Sequence, residues 1–507
     1  MKDTRNTSRT IAALLAAAMM TSLAACGGDT GTTDTTASTD PAETTEAIDP
    51  AEISDLPDKD WGGEEFHVFG MQNDVNTQFS TFEVAVESEN GEVVNDAIFR
   101  RNVAIEDRYN VKIVETKHNA NTGGDAMVSA IRKYAMAGED LYDLAFCAID
   151  GIGTLAREGI FYDLNELDYI DFSKAWWNPE VNERMEVEGR LFFTNNDFTL
   201  RDKNRAYILN FNKRLVDEYK LPNYFDAVRD GKWTLDMMKE GCMAVANDIN
   251  SNGEVDTDDV FGITLDSYNG GWALATGGGI QTLKSTDAGY QIVINSERTI
   301  DVLDKVLSIT AVDYVGSSCD EWNGKKLPET WSSYWSFSGQ VFNAGRALFT
   351  GCFPHSLSSR SANSIDDYGI LPFPKYDEAQ DGYINLADRY AMLVGIPSTS
   401  ATPDFSAFML EALGAEAYNT SLPAYIEVSC KTKYTYDEDS ADMLDIIFGN
   451  IYYETALIYG ISGLKTIVYD VMKAKENNFS SKYASIESKA FSDMEKMVED
   501  ILAVGQE

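Results

Sequence analysis

The chain has 507 residues, with 41 Lys and Arg against 82 Asp and Glu, so its formal net charge is −41 at pH 7. Such a field repels phosphate groups, which argues against a nucleic-acid-binding protein and against adhesion to an anionic membrane surface. A chain this long predicts two lobes or domains and not one core. Only 3 His and 6 Cys occur, without a CxxC pair, which argues against a zinc site.

The first 25 residues are expected to form a lipoprotein signal peptide. Lys2, Arg5 and Arg9 precede the apolar run IAALLAAAMM, residues 11–20, which is too short to span a bilayer. The following LAAC resembles the lipobox of bacterial lipoproteins, and this resemblance implies cleavage before Cys26 and a lipid on its thiol. An ordinary secretory signal with an incidental cysteine is the alternative.

Residues 26–57 are expected to be a flexible tether. Their sequence up to residue 50 consists almost wholly of Thr, Asp, Ala, Gly, Ser, Glu and Pro, which cannot bury enough apolar surface to offset the entropy of ordering. The prediction is therefore a folded body at the cell surface, held by its lipid on the outer face of the cytoplasmic membrane.

Strands and helices alternate in the first part of the body. The hydrophobic patterns predict strands at 64–70, 111–116 and 142–149, with helices at 94–111 and 123–140 between them. This order predicts a βαβ unit with a parallel sheet, in which ligands bind beyond the carboxyl ends of the strands. Asn73, Asp74 and Asp150 lie just beyond the carboxyl ends of the predicted strands at 64–70 and 142–149. Asp150 could instead merely cap the helix that follows its strand.

The rest of the chain continues as an α/β sequence that becomes helix-rich toward its end. Strands are predicted at 188–200, 261–264, 341–353 and 368–375, and helices at 231–248, 296–310, 404–419 and over most of 440–502. Thr234 is the predicted N-cap of the helix at 231–248.

The stretch NDINSNGEVDTDDVFG, residues 247–262, has the pattern of a calcium loop. Gly253 stands at the sixth position, where the chain must turn sharply, and the twelfth position is an Asp in place of the usual Glu. The predicted ligands are Asp248, Asn250, Asn252, Glu254 through its carbonyl, Asp256 and Asp259. The alternative is a polar turn that binds nothing. A single loop of this kind favours a structural clip over a calcium sensor.

Several segments, spread over nearly the whole body in order, resemble the family 1 extracellular solute-binding proteins, which are lipid-anchored receptors of ABC sugar importers. The quoted segments are YDLAFCAIDGIGTLAREGIFYDLNEL, EGRLFFTNND, AYILNFNKRL, GKWTLDMM, DINSNGEVDTDDVFGIT, FNAGRALFTG, YGILPFPKYDEAQ and LPAYIEVSCKTKYTYDEDSADMLDII.

The resemblance implies a two-lobed periplasmic-binding-protein-like fold of type II, with the ligand in the cleft between the lobes. It places one lobe at 58–197 plus about 387–423, and the other at 198–386 plus 424–507. Carbohydrate sites combine hydrogen-bonding groups with flat aromatic faces. The ligand-binding candidates are Asn73, Asp74, Asp150, Asn195, Asp197, Tyr268, Trp272, Phe353 and Tyr425.

The expected function is capture of a carbohydrate, with an oligosaccharide favoured, and its delivery to an ABC permease by a monomeric receptor. A binder of a non-sugar solute such as a peptide is the first alternative. A secreted carbohydrate-active enzyme is the second, although no catalytic motif stands out. The five cysteines after Cys26 leave disulfide pairing open, with Cys319 and Cys352 as one possible pair.

Overall fold

Two main β-sheets organise the chain, which the computed structural model describes over residues 55–120, 124–266, 268–286, 289–435 and 437–505. The strands are β1 Glu64–Gln72, β2 Val111–Asn119, β3 Leu144–Ala148, β4 Ile208–Asn212, β5 Phe261–Leu265, β6 Leu283–Thr286, β7 Gly289–Ile292, β8 Gly316–Ser318, β9 Ala347–Cys352, β10 Tyr368–Leu371, β11 Asn385–Leu386, β12 Met392–Gly395 and β13 Ile451–Tyr452.

The first sheet has the order β12-β3-β1-β2. Strand β1 runs parallel to both β2 and β3, and β12 closes the edge antiparallel to β3. The chain therefore returns to this sheet after a long excursion through the second one. Because β1 and β3 are parallel, the segments after their carboxyl ends lie at one edge of the sheet. The predicted parallel βαβ unit is confirmed.

The second sheet has the order β10-β4-β9-β5-β8. Strand β5 is parallel to β8 and β9, whereas β4 runs antiparallel to β9 and β10. The carboxyl ends of β5, β8 and β9 thus share one edge with the beginning of β4. Two small pairs, β6 with β7 and β11 with β13, lie outside the main sheets.

Helices cover both sheets. They are α1 Val93–Tyr109, α2 Gly124–Met136, α3 Ile149–Arg157, α4 Pro179–Met185, α5 Arg201–Asn204, α6 Lys213–Tyr219, α7 Tyr224–Arg229, α8 Leu235–Val245, α9 Asn269–Gly277, α10 Glu297–Thr310, α11 Phe337–Asn343, α12 Leu357–Asn363, α13 Pro403–Asn419, α14 Ser421–Pro423, α15 Glu438–Phe448, α16 Thr455–Ile458, α17 Ile467–Ala474 and α18 Phe479–Ala503. Residues Ala424–Lys433 form a π-helix. Among the helices of the described residues, none is long and apolar enough to cross a membrane.

Local sequence explains where several helices begin. The Thr234 side chain accepts a hydrogen bond from the Met237 N–H, so the predicted N-cap of α8 is confirmed. Asn212 accepts the Leu215 N–H in the same way at the start of α6. Each cap satisfies a backbone donor that the first helical turn leaves without a partner.

One predicted strand is wrong, and a second is confirmed only in part. Residues 188–200 form no strand but an irregular segment held by single bridges, among them Thr194 to Val394. Residues 341–353 are divided, because α11 continues to Asn343 and only β9 is a strand. Gly345, with φ +71°, provides the left-handed residue that ends the helix and reverses the chain into β9.

Candidate functional site

The segments that follow the strands of the two sheets meet around Arg205. This side chain lies in the first crossing between the sheets, and its guanidinium carbon is 4.6 Å from the ring of Phe79 and 4.9 Å from that of Phe353. Phe79 belongs to the loop after β1, and Phe353 directly follows β9. The edges at which parallel sheets bind ligands are therefore in contact with each other.

Arg205 is fixed by two polar partners. Its Nη2 pairs with Asp388 Oδ2 at 2.8 Å, and both side chains are buried. Its Nη1 lies 2.6 Å from His355 Nε2, which must accept this hydrogen bond in the neutral form. Burial, and then the charge of Arg205, holds the pKa of His355 well below its usual value. The cluster thus combines a buried ion pair with a neutral imidazole and aromatic rings.

A second arginine, Arg389, lies beside this cluster in the segment that returns to the first sheet. Its Nε and Nη2 donate to Asp150 Oδ2 at 2.9 and 2.5 Å. Its guanidinium carbon is 5.4 Å from the ring centre of Tyr268, which follows β5, and equally far from that of Tyr390. Arg389 therefore connects a carboxylate of the first sheet to an aromatic ring of the second.

A cavity of about 500 Å³ opens between the two sheets next to this cluster. Thr81 and Phe82 line it from the loop after β1, and Pro354 and His355 line it from the segment after β9. The π-helix contributes a further wall. The volume of the cavity lies within the range of about 300 to 1,000 Å³ that is common for small-molecule sites.

Three buried polar atoms on the wall of this cavity have no hydrogen-bond partner among the described residues. They are Asn204 Oδ1, Tyr425 Oη and Ser429 Oγ. The three residues are 8%, 6% and 3% exposed, respectively. Native proteins rarely leave such groups unpaired, because the lost hydration costs about 1–3 kcal/mol each. We take this cavity, with the adjoining arginine cluster, as the candidate site.

The π-helix explains how the chain presents two of these groups. Its wider turn brings Tyr425, Ser429 and Cys430 to the same cavity. π-Helical geometry is rare in proteins and is found frequently at functional sites. A smaller cavity of about 250 Å³ lies between segments of the second sheet, such as Asp266, and helix α17, which contributes Tyr469.

The predicted residues Asn73 and Asp74 lie at the edge of the first sheet. Asn73 is buried, and its side chain donates to the Ala120 carbonyl at 3.0 Å and accepts the Asn76 N–H at 2.7 Å, so it shapes the turn after β1. Asp74 is exposed and accepts from Asn119 Nδ2 at 2.7 Å. Their role in ligand binding stays a prediction.

Asn195 and Asp197 belong to a buried polar network at the first crossing. Asn195 Nδ2 donates to Asp202 Oδ2 at 2.9 Å and to Tyr453 Oη at 3.0 Å. Asp197 lies 3.6 Å from the Lys203 ammonium, and burial raises its pKa to about 6. Neither Asn195 nor Asp197 lines the cavity, and their role in ligand binding stays a prediction.

The remaining predictions divide between core and site. Trp272 is 2% exposed inside α9 and therefore packs in the core of the second sheet. Asp150, Tyr268, Phe353 and Tyr425 all lie at the arginine cluster or the cavity.

Sequence reasoning missed Arg205, Asn204, His355, Arg389 and Ser429. The tripeptide Asp388-Arg389-Tyr390 between β11 and β12 carried a usable signal, since charged and aromatic residues beside two short strands suit a site. No comparable signal pointed to Asn204 or Ser429, because their importance depends on burial.

The metal and cysteine predictions concern other parts of the chain. Within the described ranges, no group of three or more His, Cys, Asp or Glu side chains is arranged to hold a metal ion by itself. The five cysteines of the body are buried and form no disulfide, so the pair considered for Cys319 and Cys352 is not formed. Cys26, the signal peptide and nearly all of the tether lie outside the described residues.

Comparisons with known proteins identify the fold. No protein-family model matches the sequence, and the comparison with curated proteins finds no match. A sugar transporter protein from Rhizobium etli in an open conformation is similar in structure, with a TM-score of 0.54 and 14% identity over 87% of this chain and 99% of that chain.

Two ligand complexes resemble the chain to the same degree. An ABC substrate-binding protein from Listeria monocytogenes in complex with cycloalternan has a TM-score of 0.52 and 12% identity over 86% of this chain and 99% of that one. The maltose/maltodextrin-binding domain from Bdellovibrio bacteriovorus, bound to maltotriose, has a TM-score of 0.51 and 13% identity over 86% of this chain and 100% of that one. The predicted two-lobed α/β fold is thereby confirmed, with one main sheet in each lobe. The exact lobe boundaries stay a prediction.

Proposed function

We propose that the protein captures a carbohydrate between its two lobes and delivers it to the permease of an ABC importer. The observation that carries this proposal is the cavity between the sheets, in which three buried polar groups have no protein partner. A ligand rich in hydroxyl groups can both donate to Asn204 Oδ1 and exchange hydrogen bonds with the hydroxyls of Tyr425 and Ser429. The fold shared with sugar-binding receptors supports the same reading.

The aromatic groups of the cavity suit the apolar C–H faces of a sugar ring. Phe82 and Tyr434 line the cavity together with Tyr425. Aromatic faces bury the apolar C–H groups of a sugar ring, while polar groups fix its orientation. A peptide would place different demands on the site, since its backbone needs an extended series of donors and acceptors.

Closure of the lobes would complete the site. Arg389 and Arg205 each contact residues from both sheets, so they lie where a hinge motion changes the distance between the lobes. Hinge closure around the ligand is one of the common ways in which binding proteins work. In this proposal the residues bind and orient the ligand and catalyse no reaction.

The proposal includes a lipid anchor at Cys26, which rests on the sequence of the first 26 residues. Mass spectrometry of the protein from membranes is expected to find the N-terminal Cys26 acylated. Cys26→Ser is expected to release the folded body from the membrane, with its ligand binding retained. An unmodified Cys26 in membrane-bound protein would contradict the anchor and leave the ligand assignment intact.

The ligand is tested by a thermal-shift and calorimetric screen of the purified protein against mono- and oligosaccharides, peptides and amino acids. A carbohydrate that binds only the folded state raises stability by about 2.7 kcal/mol at a hundredfold excess over its dissociation constant. A response to one class of glycan, with the glycan recovered unchanged, is the expected result. A response to peptides alone would overturn the substrate class, and release of a hydrolysis product would overturn the receptor function.

A substitution in the cavity then locates the site. Ser429→Ala is expected to weaken carbohydrate binding by about 1 kcal/mol, or roughly fivefold, through loss of one hydrogen bond. Ser481→Ala, at an exposed position near the start of α18, is the matched control and is expected to bind as the wild type does. Equal affinities of the two variants would place the ligand elsewhere.

A further inference from the structure

The loop between α8 and β5 is closed at its base and turns sharply at its centre. Backbone hydrogen bonds of 3.0 Å in both directions join Asn247 and Val260. Between them the chain passes through left-handed conformations at Ser251, with φ 55°, and Gly253, with φ 75°. Because its base is closed and its centre turns sharply, the loop brings several of its side chains together in its interior.

Two carboxylates of this loop are each satisfied on one oxygen only. Asp248 Oδ2 accepts the Gly253 N–H at 2.8 Å, and Asp259 Oδ2 accepts the Asp256 N–H at 2.8 Å. The second oxygens, Asp248 Oδ1 and Asp259 Oδ1, are buried and have no hydrogen-bond partner. Asp259 is 0% exposed, so water does not compensate its charge.

A polar turn that binds nothing does not explain this arrangement. A buried carboxylate oxygen without a donor or a counter-charge is costly, and proteins pair such charges or use them to coordinate metals. Arg346 lies 3.5 Å from Asp258, which faces solvent, and its ion pair leaves the two buried oxygens uncompensated. The missing partner is therefore a cation that fits inside the loop.

The remaining oxygen donors of the loop complete a set suited to a hard cation. Asp256 Oδ2 is 2.8 Å from the amide nitrogens of both Asn250 and Asn252, so the three side chains already face one another. A cation among them would take the place of the two amide N–H groups as the partner of Asp256. Carboxylate, amide and carbonyl oxygens in this number are the ligands of calcium.

We propose that this loop binds one Ca²⁺ through the side chains of Asp248, Asn250, Asn252, Asp256 and Asp259 and the backbone carbonyl of Glu254. The ion fastens the end of α8 to the start of β5. Because the cavity adjoins the other end of the second sheet, roughly 15 Å away along the five residues of β5, the ion stabilises the lobe and does not touch the ligand.

The first test titrates calcium and magnesium into the full chain after removal of metals with EDTA, with isothermal calorimetry as the readout. One calcium per chain is expected, with much weaker binding of magnesium, which demands a stricter octahedral geometry. Absence of calcium binding, or preference for magnesium, would overturn the proposal.

Substitutions in the loop separate binding from folding. Asp259→Asn and Asp248→Asn are each expected to weaken calcium binding at least tenfold, whereas Asp258→Asn, a solvent-facing residue of the same loop, leaves it unchanged. In EDTA the melting temperature of Asp259→Asn is expected to equal or exceed that of the wild type, because the substitution removes a buried charge. In calcium only the wild type and Asp258→Asn gain stability. Full calcium binding by Asp259→Asn would contradict the assignment.

Terbium provides a direct spectroscopic readout, because this ion binds calcium sites and luminesces when a nearby aromatic ring absorbs light. Tyr314 lies beside the end of the loop, because its carbonyl accepts the Gly262 N–H at 3.0 Å. Tyrosine-sensitised luminescence is expected for the wild type and its loss on addition of calcium or in Tyr314→Phe. Luminescence that persists in excess calcium would show that terbium occupies another site.

Discussion

Two buried polar regions at the junction of the lobes differ in one respect, namely where their hydrogen bonds go. In the network around Asp202, Asn195 Nδ2 and Tyr453 Oη both donate to the carboxylate at 2.9 Å, and the Lys203 ammonium lies 3.2 Å from it. The charge of Asp202 is thus compensated by protein groups. Such a network fixes the geometry of the chain crossing, and its members do not line the cavity.

The wall of the cavity shows the opposite pattern. Asn204 Oδ1 lies only two residues beyond Asp202 in sequence, yet it has no partner, and the same is true of Tyr425 Oη and Ser429 Oγ. Burial is similar in the two regions, so exposure does not distinguish them. The comparison teaches that unsatisfied polar groups beside a cavity mark a binding site better than buried polarity alone.

Removal of the carboxylate at the centre of the network is expected to have the largest effect. Asp202→Ala leaves Lys203, Asn195 and Tyr453 without their common acceptor, and the loss of one partner of a buried charge pair costs about 3–5 kcal/mol of unfolding free energy. Chemical denaturation measures this loss. Asp74→Ala, at an exposed position, is the control and is expected to change stability by less than about 0.5 kcal/mol.

A destabilisation of Asp202→Ala no larger than that of Asp74→Ala would remove the distinction between a structural network and a binding wall.

The pH dependence of stability tests a third buried carboxyl, that of Glu411. Burial raises its pKa to about 8, although it accepts the Trp177 indole N–H at 3.0 Å. The folded-state pKa of Glu411 lies above the unfolded value of about 4.3. The contribution of the protonated Glu411 side chain to the stability of the fold is therefore complete below about pH 4.3, and it is lost as the pH rises through the folded-state pKa.

Glu411→Gln stays neutral at every pH and is therefore expected to be the more stable protein at pH 7.5, by about 4 kcal/mol, with a small difference at pH 4. Urea denaturation at both values provides the measurement. A difference that does not depend on pH would mean that Glu411 is ionised in the folded protein.

A smaller effect is expected from the arginine that links the lobes. Arg389→Ala removes the pair with Asp150 and the contact with Tyr268, and because this arginine is 39% exposed the pair contributes about 1 kcal/mol. The ligand-free protein is expected to shift toward an open form with a larger radius of gyration in solution scattering, and carbohydrate affinity to fall up to about fivefold.

Arg132→Ala, which breaks the pair with Glu158 within the first lobe, is the matched control for Arg389→Ala. An identical scattering profile and affinity for both variants would exclude a role of Arg389 in closure.

Elements with strong local signals could be predicted from the sequence. The strands β1 and β5 and the helix that begins after Thr234 follow from hydrophobic period and capping. Residues 188–200 misled because their apolar run looks strand-like, whereas Asn196 bonds locally, its Oδ1 accepting the Phe198 N–H at 3.1 Å. Side chains of this type compete with the sheet for backbone groups.

The site was only partly predictable. Asp150 and Tyr268 could be named because they follow strands, and position relative to a strand end is readable from sequence. Asn204 and Ser429 could not, since nothing local distinguishes them from ordinary polar residues. Trp272 is buried in the second lobe, and its role in ligand binding stays a prediction, because an aromatic residue near a strand end is as suitable for the core as for a ligand.

The central claim is that the buried polar groups of the cavity wall, which have no protein partner, form hydrogen bonds with the bound ligand. The most direct measurement compares Tyr425→Phe with Tyr224→Phe, because Tyr224 Oη is likewise buried without a partner but lies in the core of the second lobe. Neither substitution is expected to reduce stability, since each removes an unsatisfied hydroxyl. Calorimetry with the carbohydrate identified by the screen is expected to show roughly fivefold weaker binding for Tyr425→Phe alone, a loss of about 1 kcal/mol. Unchanged affinity of Tyr425→Phe, or equal loss in both variants, would contradict the account.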